Sequence, residues 1–189
     1  MTGERISSFA AATLGRFVAD QRGVSALEFA LLMPLMITLY LGGVEISQAV
    51  SADRKATLVS HTIGDLVAQS SDIVDADMTN ILNAASSVAY PFAVANLTVT
   101  VSSVCIDANG VATVAWSDTL NGTIRAGTVT SSIPSALLTA NTSLIWGEAT
   151  YNYRPTIGWT ITGTLTLRDK IFLRPRLSSS VTRSSAHAC

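Results

Sequence analysis

The chain has little of what catalysis and metal binding usually require. Among its 189 residues there are two histidines, His61 and His187, and two cysteines, Cys105 and Cys189. All four are far apart, and none falls into metal-ligand spacing. Serine is abundant, but no nucleophile elbow surrounds any of it, and no glycine-rich phosphate loop follows a strand. His61 reads as a surface or packing residue of a helix. Asp72, Asp75 and Asp77 suggest a calcium loop only superficially. The loop glycine and bidentate glutamate are missing, so these carboxylates fit helix-start charge better. The expectation is a protein that is not an enzyme and carries no cofactor or metal. Charge is scarce too, at 13% of residues with a net of −1, which lacks the basic face of a nucleic-acid binder. Aromatics are only 6%.

Apolar residues, in contrast, are plentiful at 48%, and mean hydropathy is +0.40. Part of this comes from one run. Between Phe29 and Val44 the only polar groups are Thr38 and the Tyr40 hydroxyl. With Val24 to Leu27 added, the run reaches about 20 residues, which as a helix covers the roughly 30 Å of a bilayer core. Pro34 is tolerated in such a helix when neighbours satisfy the freed carbonyl. Arg5, Arg16 and Arg22 precede the run, against Glu4 and Asp20, so the positive-inside rule keeps the N-terminus cytoplasmic and exports the rest. A cleaved secretory signal ending near Val50-Ser51-Ala52 competes with this reading. Its apolar core is usually 7–15 residues, and here Glu45 intervenes before the site.

Glu28 is the anomaly in this run. A carboxylate near a bilayer centre costs about 2.5–3.5 kcal/mol on insertion scales, so a membrane glutamate calls for a purpose. From spacing alone two readings remain: Glu28 snorkels from an ordinary anchor, or it makes an assembly contact.

The remainder reads as one modest domain. From Ile46 to Gln69 there is no proline and no glycine but Gly64, and Ala49, Ala56, Val59, Ile63, Leu66 and Val67 form an apolar helical stripe. The helix is therefore expected to continue past the membrane. Ser71-Asp72 or Asp75 suggests the cap of a second helix, with Met78, Ile81, Leu82, Ala85 and Val88 as its stripe, ending before Pro91. Beyond Asn96 the period becomes 2. Leu97, Val99 and Val101 alternate with polar residues, Asp107 to Gly110 offers a turn, and Ala112, Val114 and Trp116 return. Asn121-Gly122 marks another turn, and Ser135 to Leu138 a short helical one. A third strand carries Ile145, Gly147, Ala149, Tyr151 and Tyr153 on one side and stops at Pro155. A fourth is expected over Ile161 to Leu167. The Ser-rich tail is loose unless Cys189 is bonded.

The expected fold class is therefore α+β. A long N-terminal transmembrane and amphipathic helix carries an exported head with a second helix and an antiparallel sheet of three to four strands. The expected divisions are 1–23, 24–44 (transmembrane), 45–70 (continuation of the helix) and 71–189 (head). In an oxidising compartment Cys105 and Cys189 could bridge within the chain, remain thiols, or leave Cys189 to pair between chains. Arg168, Lys170, Arg174 and Arg176 form a basic patch, which suits either anionic headgroups or a solvated edge strand. The Asn-x-Ser/Thr sites at Asn96, Asn121 and Asn141 are expected by chance in so Ser/Thr-rich a chain.

The segment Arg22-Gly23, four small or apolar residues, Glu28-Phe29 and Ala30-Leu31-Leu32-Met33-Pro34 resembles the TadE-like pseudopilins of the tight-adherence pilus system. Gly147 to Pro155 and Leu173 to Arg176 are also similar to that family's exported part. The resemblance implies cleavage by a prepilin peptidase after Gly23, on the cytoplasmic face, leaving Val24 as the new N-terminus. It implies an assembly role for Glu28, flanked by Phe29. A freed amine at Val24 and the Glu28 carboxylate would stand one helical turn apart on one face. Ala26, Ala30 and Gly42-Gly43 would let neighbouring helices approach. The implied partners are the prepilin peptidase, other pilins or pseudopilins, the pilus secretion platform and inner-membrane lipid. A membrane-anchored periplasmic scaffold or ligand-sensing domain without a pilus role is the alternative.

Overall fold

A computed structural model describes residues 22–156, 163–183 and 189. The expected positions in 1–21, Ile161 and His187 lie outside the described residues. The chain divides into two units, Met1–Val44 and Glu45–Cys189, with the break inside the first helix.

Helix α1, Arg22–Ala68, is 47 residues long and contains Pro34. In the first unit every described side chain from Gly23 to Tyr40 is exposed. Thr38 Oγ1 donates to the Pro34 carbonyl at 2.8 Å, so the hydroxyl is satisfied along the helix itself.

In the second unit the helical period buries Ala52, Ala56, Val59, Ile63, Val67 and Ala68. The expected stripe is shifted: Leu66 is 38% exposed, and Ser60 and Gly64 are buried in its stead. The reason is a close approach of backbone to backbone. A Cβ on Gly147 of the sheet would lie 2.9 Å from the Ser60 carbonyl oxygen and 3.4 Å from Gly64 Cα. Gly147 thus seats the helix on the sheet opposite Gly64, where a side chain on the strand would meet the helix backbone.

Four strands form an antiparallel sheet in the order β3-β2-β4-β5: β2 Leu97–Ile106, β3 Ala112–Leu120, β4 Thr142–Tyr153 and β5 Leu165–Leu173. The period-2 pattern sends Leu97, Val99, Val101, Ile145, Ala149, Tyr151 and Tyr153 to the helix side. Val104, Ile106, Leu144 and Trp146 face the other way, into a smaller core closed by Val129 and Ile133. Strict alternation along β3 would put Val114 and Trp116 on one face, and a bulge separates them. Ser103 pairs with Trp116 but Val104 pairs with Val114, so the extra Ala115 turns the two onto opposite faces.

Helix α2, Asp75–Ala89, follows a two-residue strand β1, Asp72–Ile73. Neither Ser71-Asp72 nor Asp75 caps it. Ile73 is fully buried and drawn into pairing, which moves the cap to Val74, whose N–H donates to Asp77 Oδ2 at 3.4 Å. Lys55 Nζ donates to the Val88 carbonyl at 3.0 Å, placing a cation at the α2 C-terminus.

The expected fourth strand also shifts, to Leu165–Leu173. The charges of Arg168-Asp169-Lys170 do not end it. Alternation puts Asp169 on the helix side, where Ser60 Oγ donates to it, and Arg168 and Lys170 on the open face. The tail is ordered where described. Strand β6, Thr182–Arg183, pairs in parallel with β1. The Arg176 N–H donates to the last helical carbonyl, Ala68, at 2.8 Å, and Cys189 is bonded to Cys105 with Cα atoms 5.4 Å apart.

Candidate assembly segment and the chemistry of the head

Gly23, Val24, Glu28 and Phe29 all lie in the opening turns of α1. Helical spacing places Val24 and Glu28 one turn apart on a common face. Phe29 is 58% and Leu27 70% exposed, so the carboxylate is surrounded by apolar surface. Glu28 makes no ion pair among the described residues. Small side chains at Ala26 and Ala30, and open space around Gly42 and Gly43, leave the helix surface accessible to close approach. The helix is long and apolar enough to cross a membrane.

The polar chemistry of the head gathers in two places. The first is a clamp on the tail. Arg183 is 9% exposed at its side chain, and its Nε donates to Asp118 Oδ2 at 2.9 Å and its Nη1 to Asp75 Oδ1 at 2.7 Å. Hydrogen bonding to Asp118 raises its already high pKa, against an opposing effect of burial. Trp116 Nε1 donates to the Val181 carbonyl at 2.8 Å beside it. Sequence reasoning missed Arg183, since its partners lie 65 and 108 residues away.

The second is the open face of the sheet. Arg125 lies over the Trp146 ring, 3.4 Å from the centroid, pairs with Glu148, and donates to Ser102 Oγ at 3.1 Å. Burial lowers the Arg125 pKa, and Glu148 offsets part of that. Arg125 also went unread, because its segment carries no periodic pattern. The alternation that turns Thr100, Ser102 and Glu148 away from the apolar side was the available signal.

The other sequence candidates separate. The basic patch divides: Arg168 and Lys170 stay on the open face, Arg174 Nη2 donates to Thr139 Oγ1 at 3.0 Å, and Arg176 pairs with Asp65. Asp75 joins the Arg183 clamp and Asp72 accepts from Thr182 Oγ1 at 2.6 Å. His61 is 54% exposed at its side chain, 4.0 Å from Asp169. Asn121 donates through Nδ2 to the Val94 and Leu97 carbonyls at 2.9 and 3.1 Å, so its amide is committed to the fold. Among the described residues no three His, Cys, Asp or Glu side chains gather into a metal site.

Residues 23–63 match the family model of the TadE-like proteins. The match spans the apolar run and the first turns that pack on the sheet. It does not reach Gly147 to Pro155 or Leu173 to Arg176. No curated protein and no solved structure matches the chain. The TadE-like segment associates the chain in general terms with tight-adherence pilus assembly and with other components of that system. Its apolar helix is compatible with a single-pass membrane anchor.

Proposed function

We propose that the protein is a minor pseudopilin of a tight-adherence pilus system, without catalytic activity of its own. Residues 24–44 anchor it in the bacterial inner membrane, with the N-terminus cytoplasmic and the head in the periplasm. A prepilin peptidase cuts after Gly23, and Glu28 then acts in assembly, with Phe29 beside it. The observation that carries this reading is Glu28, without an ion pair among the described residues, on an exposed apolar helix one turn from Val24 and inside the TadE-like match.

The physical argument is one of pairing. Carboxylate and amine are both poorly solvated at the edge of lipid, and each gains from the other, within one chain or between neighbouring chains. A pair formed between chains fixes the register of adjacent membrane helices. The accessible glycines and alanines of α1 admit such neighbours closely.

Mass spectrometry of the protein from its host reads the cut: a chain beginning at Val24 is expected, and an intact N-terminus overturns the processing. Glu28→Ala is expected to leave membrane insertion intact and to impair piliation. Normal piliation in that strain would reduce Glu28 to an incidental charge.

A further inference from the structure

The TadE-like match ends at residue 63 and leaves the sheet without an assigned role. The lower half of its open face forms a groove of about 460 Å³, within the volume range of small-molecule sites. Its floor carries the hydroxyls of Thr98, Thr100 and Thr150, and its walls are Asn121, Arg125 and Glu148.

This wall is built. Asn121 takes a positive φ of 55° and is tied by its two Nδ2 hydrogen bonds, while Thr98 Oγ1 donates to its carbonyl at 3.2 Å. Gly122 lies so near the sheet that a Cβ there would meet Thr98 Cγ2 at 2.6 Å. Further along, the Arg125 N–H donates to Ser117 Oγ at 3.0 Å, and its guanidinium is fixed by Trp146, Ser102 and Glu148. The side chains of Arg125 and Glu148 are only 18% and 28% exposed. Asn121 and Thr98 spend their donors on the wall itself. The groups left to meet a ligand are the Thr150 hydroxyl, the Thr98 oxygen and the outer edges of the Arg125–Glu148 pair, held in place before it arrives, which lowers the entropy lost on binding.

The chemistry of the lining selects the ligand. Ile124, at 65% exposure, is the one large apolar side chain on it, so acyl chains and apolar peptide anchors find no seat. A fixed guanidinium and carboxylate above a floor of hydroxyls complement a chain of vicinal hydroxyls, each of which both donates and accepts. Beside the groove, Lys170 stands opposite Glu148 and Arg168 opposite Thr150 in the β4–β5 register. These two cations outnumber the single groove carboxylate on that side. We infer that the groove binds a polysaccharide, hydroxyls on the threonine floor and acidic substituents toward Arg168 and Lys170. This site is independent of Gly23 and Glu28, and fails or stands apart from the pilus reading.

The test is calorimetric titration of the full chain in detergent micelles with two probes, hexamannuronate (acidic) and maltohexaose (neutral). Saturable binding of hexamannuronate is expected, with weaker binding of maltohexaose. Thr150→Val, on the solvent side of the sheet, should weaken both by about tenfold, the cost of a missing hydrogen bond with an unmatched ligand hydroxyl. Arg168→Gln with Lys170→Gln should weaken hexamannuronate alone, by about three- to tenfold, and flatten its salt dependence. Thermal midpoints equal to wild type establish that both variants are folded. Absence of saturable binding overturns the inference. So does hexamannuronate binding that Thr150→Val leaves unchanged, since that would be ion pairing with surface cations only.

Discussion

The seating of α1 on the sheet rests on Gly147, and replacing it with alanine tests that account. The added methyl would lie 2.9 Å from the Ser60 carbonyl oxygen and 3.3 Å from Ile171 Cγ2. The first of these is helix backbone and cannot rotate aside, so the helix itself must shift. Overpacking of this kind costs about 1–3 kcal/mol. In a domain of this size that lowers the thermal midpoint by roughly 2–4 °C per kcal/mol. Gly64 is the control on the opposite surface. Its added Cβ meets only Ile171 Cγ2 at 3.1 Å and Leu173 Cδ1 at 3.3 Å, both ends of movable side chains. Alanine also improves on glycine within a helix by about 0.5–1 kcal/mol. Gly64→Ala should therefore be near neutral or slightly stabilising, while Gly147→Ala is clearly destabilising. Thermal unfolding of both variants, followed by circular dichroism in micelles, reads the difference. If Gly147→Ala is as stable as wild type, or if Gly64→Ala is the worse of the two, the close approach does not hold the helix in place.

Other outcomes concern the tail and the sheet. Arg183→Met leaves Asp118 without its guanidinium and should cost about 2–4 kcal/mol in urea unfolding. That lies below the full penalty of a broken buried pair, because the Asp75 side chain is 86% exposed and adds little. A loss under half a kcal/mol, on the scale of an ordinary surface substitution, would show that the clamp does not hold the tail. Cys105→Ser opens a bridge spanning 84 residues, for which the chain-entropy model gives about 4–5 kcal/mol. Denaturation midpoints with and without reductant check it, and a reductant effect that persists in the variant would contradict the assignment. Burial raises the Tyr153 pKa above its ordinary 10.0, with Glu45 and Tyr151 adding to it. The folded state therefore keeps this proton when the unfolded chain has lost it. The resulting stability is complete below pH 10 and is lost as pH rises through the folded-state value. Tyr153→Phe should remove a component titrating above pH 10 from the tyrosinate absorbance, and an unchanged titration curve refutes the assignment.

Local pattern carried the elements of this protein. A run of apolar residues with one carboxylate specifies a membrane-compatible helix regardless of what surrounds it, because backbone groups in lipid must be satisfied internally. The period of 3.6 after Ile46 and the period of 2 after Asn96 likewise separate helix from sheet, and alternation alone puts Gly147 on the apolar side of its strand. The disulfide was legible only as one of several possibilities, since two cysteines do not reveal whether a chain brings them together.

What tertiary structure decided was every feature whose partner lies far along the chain. Ser71-Asp72 resembles a helix cap because serine and aspartate accept from nearby N–H groups. The pairing of Asp72 with Thr182, 110 residues on, overrides that local preference. The bulge at Ala115 turns Trp116 toward the helices, a reversal that alternation alone cannot express, because one inserted residue changes the face of everything beyond it. Gly64 reads in sequence as a weakness in a helix, and only the opposing Gly147 reveals it as the contact point. The Arg125 and Arg183 sites arise in the same way. A guanidinium without a periodic setting has no signature until folding supplies the carboxylates, the indole and the hydroxyls that fix it.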